Sequence, residues 1–168
     1  MKILNKTYLT LLVVIFTFLI VNKSAYAEQK DTVAKRVYVW KNIPVVVICN
    51  ETATRRELVE NAVKYWRDKG YSIGKIIEGV SCKNNIKFGE IRISDSSNLN
   101  TSKYYGYTTV REIDRRIIGS IINFDPKYYN DESLIIHELG HAIGLVHAPN
   151  SRTQDIMHAY HMTGGRKF

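Results

Sequence analysis

Two hydrophobic periods run along this chain, and the places where one gives way to the other mark its elements. Val37 to Trp40 and Val45 to Ile48 are apolar and rich in β-branched residues. Pro44 heads the second run, where a proline harms a ladder least, so the pattern predicts a first core strand over 43–49. Leu58, Ala62, Val63, Tyr65 and Trp66 then recur at helical spacing until Gly70. Thr54-Arg55-Arg56-Glu57 reads as a capping box in front of them, which predicts an amphipathic helix over about 54–69. Ile73 to Ile77 and Ile86 to Ile93 read as strands. Clean alternation in Glu90-Ile91-Arg92-Ile93 predicts one buried face and one wet one. Ser94 to Ser102 is a polar loop. Tyr104 to Val110 and Ile117 to Phe124 read as paired strands joined by a charged connection. Asn130-Asp131-Glu132 places a cap and acidic residues at the start of a last helix, about 131–145. No internal repeat, low-complexity linker or second domain interrupts this order.

The first 27 residues follow a different pattern. Lys2 and Lys6 precede an apolar run from Leu9 to Val21, broken only by Thr10 and Thr17, and Ala25-Tyr26-Ala27 is a small-x-small cleavage site. This predicts a secretory signal peptide over 1–27, with an uncleaved anchor as the alternative. The run is short for a membrane span, which needs about 20 residues. Cleavage after Ala27 would leave residues 28–168, enough for one domain with a real core, secreted or periplasmic, with no stable membrane association.

Charge narrows the partners. The whole chain carries +8, and the segment before the cleavage site holds three of its lysines, Lys2, Lys6 and Lys23, and no acid. The remainder is modestly basic. No arginine-rich helix or aromatic-basic stripe accompanies that charge, so nucleic-acid binding is not expected. Two cysteines, Cys49 and Cys82, are present. In an exported protein the default is a disulfide between them, with two buried free thiols as the alternative.

The chemistry concentrates in one stretch. His137 to His147 reads His-Glu-x-x-His-x-x-Gly-x-x-His. Residues four apart on a helix share a face, so His137 and His141 can grip one metal ion from one side. Glu138 stands beside the first of them, within reach of a metal-bound water. Gly144 suits a bend out of the helix, and His147 can then approach from another direction. Three neutral imidazoles and one open position make a catalytic rather than a structural zinc site. The alternative is a histidine-rich core helix, which leaves the joint arrival of Gly144 and His147 unexplained. Met157 follows ten residues on, within Asp155-Ile156-Met157.

The long motif followed by a methionine resembles the metzincin clan of zinc endopeptidases. The resemblance is specific over 137–157 and general over the order strand, helix, strands, zinc helix. It implies an α+β catalytic domain in which a twisted, mostly parallel sheet with an antiparallel edge strand lies over the active-site helix. It implies a turn carrying Met157 beneath the three histidines. It also implies an edge strand that pairs with the substrate backbone, placed at Tyr105, Gly106, Tyr107, Thr108 and Thr109. By pattern alone that segment is an ordinary hairpin strand. Matrixins are the most similar subfamily. Asn123 stands where they have a histidine for a structural zinc, so no second zinc is expected. Asp125 matches a calcium-linked position, but Pro126 and Lys127 replace further acids, which leaves calcium open and unsupported. Ala148, after the third histidine, matches none of the main subfamilies. No cysteine-switch segment is evident, and the part after Met157 is short.

The expected function is a secreted zinc endopeptidase acting on proteins or peptides. A zinc-bound water attacks, and Glu138 is the general base. Tyr160 is a candidate helper at the site, or a pocket wall; His158 and His161 are expected to pack or face solvent. Two other classes stay open: a zinc-binding interaction module without proteolysis, and a zinc amidase on cell-wall peptides. Ligand imidazoles must be neutral, so affinity and activity are expected to fall below pH about 6.

Overall fold

Among the described residues, six strands join in a single sheet, and two helices accompany it. The computed structural model describes residues 35–83, 85–95, 105–148 and 155–158. In chain order the strands are β1 (Val39–Trp40), β2 (Val45–Cys49), β3 (Ile76–Val80), β4 (Glu90–Asp95), β5 (Gly106–Ile113) and β6 (Arg116–Phe124). Helix α1 (Arg56–Asp68) lies between β2 and β3, and α2 (Glu132–Ala142) follows β6. The architecture is α+β with a mostly parallel sheet. Strands β3, β2, β4 and β6 are neighbours in that order and run parallel. β5 lies antiparallel on the far side of β6. Short β1 joins the start of β6 in parallel, through Val39 and Trp40.

Both helices pack on one face of this sheet. Leu58, Val59, Ala62, Val63 and Trp66 from α1 and Leu134, Ile135, Leu139 and Ala142 from α2 share a core with Val46, Ile48, Ile91, Ile93, Ile122 and Phe124. Burying each large side chain of this kind is worth about 1.5–3 kcal/mol. The opposite face has its own small cluster of Val47, Cys49 and Cys82. The two cysteines are joined, with Cα atoms 5.5 Å apart, tying the end of β2 to the segment after β3.

Several expectations need correction. Thr54 does not cap α1. The N-cap is Arg55, without a side-chain hydrogen bond, and the helix begins at Arg56. The Thr54 hydroxyl is instead 2.9 Å from that of Thr52, which donates to Asp95. The third strand starts at Ile76 rather than Ile73. Ile73 is drawn into the core and its carbonyl accepts from the Arg67 guanidinium. The fourth strand starts at Glu90, because Gly89 bends the chain with a positive φ of 77°.

The alternation at 90–93 also has no wet face. Arg92 is 6% exposed, with its guanidinium donating to Glu90 and to the carbonyls of Cys82 and Asn85. The segment before β4 folds over that side of the sheet. An added Cβ on Gly119 would stand 2.5 Å from the Lys87 carbonyl oxygen. Finally, the charged connection between β5 and β6 is mostly strand. Only Asp114 and Arg115 turn the chain, both at positive φ (50° and 60°), as a tight two-residue hairpin requires.

Candidate metal centre

α2 starts where Asp131 accepts from the Leu134 backbone N–H at 3.1 Å, the cap expected there. The helix ends in a paired C-terminal motif. Leu145 N–H donates to the Gly140 carbonyl and Gly144 N–H to that of His141. Gly144 sits at φ +100°, where an L side chain is strained, and a Cβ there would run into the Tyr38 carbonyl oxygen. The chain thus leaves the helix at Gly144, and His147 returns towards His137 and His141.

Residues 35–40, of which the sequence marks only Val37 to Trp40 as an apolar run, secure this exit. Val37 N–H donates to Gly144 O at 2.9 Å, Val146 N–H to Lys35 O at 3.2 Å, and Arg36 bridges Leu145 antiparallel. Trp40 Nε1–H donates to the Ala142 carbonyl at 2.9 Å, satisfying an acceptor of the last helical turn. Nothing in the periodicity of 35–40 announces this role, because every partner lies about a hundred residues on.

The three imidazoles converge by their Nε2 atoms. His137 and His141 are 3.1 Å apart, His141 and His147 3.0 Å, and His147 and His137 3.3 Å. Nitrogens around a tetrahedral zinc at about 2.0–2.1 Å stand about 3.3 Å from one another. The donor set therefore fits that ion. The outer nitrogens strengthen the match. His137 Nδ1 lies 2.6 Å from Ile156 O, and His141 Nδ1 2.9 Å from Leu145 O. A carbonyl can only accept, so each Nδ1 carries the proton and each neutral ring turns a bare Nε2 inward. Lone pairs facing one another at this range repel unless a cation lies between them.

Burial favours the neutral rings. Desolvation holds His141 down to about 4, against a raising contribution from its bond to Leu145. His147 is also held below the usual range, first by desolvation and then by His158.

Met157, 1% exposed, lies against Gly140, the residue before His141. Asp155 shapes the turn that carries it. Its side chain accepts from Met157 N–H at 2.9 Å and its carbonyl accepts from His158 N–H at 3.0 Å. Ala148 N–H donates to Met157 O at 3.0 Å, which joins this turn to the His147 segment.

Glu138 is 6% exposed beside the triad, and burial pushes its carboxyl up to about 7, opposed by a hydrogen bond from Thr108. That bond comes from β5. Period-two alternation turns Gly106 and Thr108 towards α2. The Thr108 hydroxyl is 2.6 Å from Glu138 Oε2, and the Gly106 Cα lies against the Glu138 side chain. Tyr107 points away and is half exposed. Tyr105 lies against Tyr128, the rings tilted with centroids 4.3 Å apart, and its carbonyl accepts from Asp125 N–H. Among the described residues, β5 has no strand on its outer edge.

Of the residues singled out from sequence, His137, Glu138, His141, His147 and Met157 thus meet in one place, with Gly106 and Thr108 alongside. Tyr160, His161 and the proposed leader 1–27 lie outside the described residues. No helix among the described residues is long and apolar enough to cross a membrane. A second group of donors, Cys49, Glu51 and Cys82, is already committed: the cysteines are paired, and Glu51 accepts from the Ser81 hydroxyl and the Cys82 N–H. Compared with known proteins, the chain is matched by no family model and by no curated sequence.

Proposed function

We propose that this protein is an exported zinc-dependent endopeptidase of the metzincin type. The convergence of three Nε2 atoms 3.0–3.3 Å apart, beside a buried carboxyl, carries the reading. The parallel sheet with its one antiparallel strand beside the histidine helix supports the family assignment, as does the buried Met157. A paired Cys49 and Cys82 suits an oxidising compartment, in keeping with the leader-like first 27 residues.

His137, His141 and His147 would hold the ion. Zinc, when bound, supplies a Lewis acid that lowers the pKa of a water to about 7 and polarises a carbonyl. Glu138 accepts a proton from the water as its oxygen bonds to the scissile carbonyl carbon. As the C–N bond breaks, Glu138 delivers that proton to the leaving amine, which leaves the carboxyl ready for another turn. An extended peptide would lie along the outer edge of β5, its backbone N–H and C=O groups pairing with those of the strand. Metal binding alone would not require a carboxyl held beside the triad, which favours hydrolysis over a binding module.

The test uses the chain from Glu28 onward, with zinc content determined, beside Glu138→Ala. Both are incubated with casein and a mixed peptide library. The expected result is about one zinc in each and cleavage by the parent alone. Absence of zinc from the folded parent at neutral pH overturns the reading.

A further inference from the structure

The Thr108 hydroxyl stands between two oxygens of one residue. It is 2.6 Å from Glu138 Oε2 and 3.0 Å from the Glu138 carbonyl oxygen. A hydroxyl has one proton to donate and two lone pairs to accept with. It donates to the carboxylate when Glu138 is charged. When Glu138 is protonated, it accepts from the carboxyl and donates to the carbonyl. The contact can therefore persist through a proton transfer in either direction.

Gly106 acts on the other side of the same carboxyl. A Cβ added there would lie 2.9 Å from Glu138 Cγ and 3.1 Å from Oε1. The bare Cα leaves the carboxyl room to lie flat against β5. The Thr108 hydroxyl bonds Oε2, while Oε1 is the oxygen that faces the bare Cα of Gly106.

We propose that Thr108 is a positioning residue for Glu138: its hydroxyl ties Oε2 and leaves Oε1 as the oxygen that exchanges protons with water and the leaving amine. The role in turnover rests on the hydrolase reading above, but the tie itself does not. It also means that one strand both orients the base and offers its free edge to an extended peptide. A valine at 108 keeps the shape and the β-branch while removing the hydroxyl; a serine keeps the hydroxyl.

Thr108→Val and Thr108→Ser are compared with the parent and Glu138→Ala, all at equal zinc content. In steady-state cleavage, Thr108→Val is expected to lose about tenfold in kcat, with KM within about twofold. Thr108→Ser is expected to stay within about threefold of the parent in kcat. A valine variant within twofold of the parent, or a serine variant as slow as the valine one, overturns the proposal. Crystal structures of the same proteins decide the tie without any turnover. One Glu138 rotamer in the parent and serine variant, and a displaced or divided one in the valine variant, is the expected result. An unmoved carboxyl in Thr108→Val overturns it. An inactive parent, or cleavage by Glu138→Ala, would sink the hydrolase reading and leave the crystal structures to judge Thr108.

Discussion

Gly140 leaves the space that Met157 fills. A Cβ on Gly140 would collide with the Met157 sulfur and lie 2.7 Å from Trp66 Cζ2. The thioether can move, but the indole is pinned, since its Nε1–H donates to the Ile136 carbonyl at 2.8 Å. Alanine gains about 1 kcal/mol of helix propensity over glycine. Overpacking a filled core costs about 1–3 kcal/mol. Gly140→Ala is therefore expected to destabilise by about 1 kcal/mol in urea unfolding, and to weaken zinc binding by shifting the helix beside His141.

On the proposed function, zinc held by His137, His141 and His147 is a stabilising ligand of the folded state. Free zinc at a thousand times its dissociation constant adds about 4 kcal/mol. The expected outcome is a large, concentration-dependent rise in Tm, reversed by a chelator. His147→Ala should reduce the rise sharply while leaving the metal-free Tm close to the parent, because His147 is exposed.

Protonation of the imidazoles opposes the metal. Burial holds His141 down to about 4 and lowers His147, so protons compete only well below neutrality. Zinc affinity measured by competition is expected to be level above pH about 6.5 and to fall between about 6 and 4. A flat profile down to pH 4 would contradict the ligand set.

Glu138 makes a separate, opposite contribution in the metal-free protein. Its carboxyl is raised by burial from 4.5 to about 7. The folded state thus holds a proton that the unfolded state releases between those values. Its stabilising contribution is complete below pH about 4.5 and is lost as pH rises through about 7. Glu138→Gln removes that loss. The metal-free variant is expected to be more stable than the metal-free parent at pH 8, by about 2–3 kcal/mol, and similar to it at pH 4. Equal stability at pH 8 would mean that the carboxyl is not held in a desolvated position.

Arg92 is buried with its charge matched by Glu90 and its remaining donors on the Cys82 and Asn85 carbonyls. Removing one partner of such a buried pair costs about 3–5 kcal/mol. Arg92→Ala is expected to cost about 3 kcal/mol in equilibrium unfolding, and to loosen the segment after Cys82, measured by hydrogen exchange.

Elements with a local cause were legible in the sequence. The four-residue spacing of His137 and His141 puts them on one helical face whatever surrounds the helix. Gly144 reaches a positive φ because it lacks a Cβ, and Asp131 caps α2 through an N–H only three residues away. Errors arose where a distant partner competed for a group. The Thr54 hydroxyl pairs with Thr52, which Asp95 holds from β4, Ile73 is drawn into the core, and Arg92 lies beneath the segment after Cys82.

By itself, then, the sequence determined which residues could hold a metal, which could carry a proton, and that the chain runs strands, helix, strands, helix. These follow from side-chain chemistry and from repeats within a turn or two of helix. Only the tertiary structure decided that Cys49 meets Cys82, that residues 35–38 clasp the exit at Gly144, and that Thr108 grips Glu138 across thirty positions. Those contacts are set by sheet register and by which face of β5 meets α2. Neither leaves a mark in the local order of residues, because the partners become neighbours only when the sheet and helices close on a shared core.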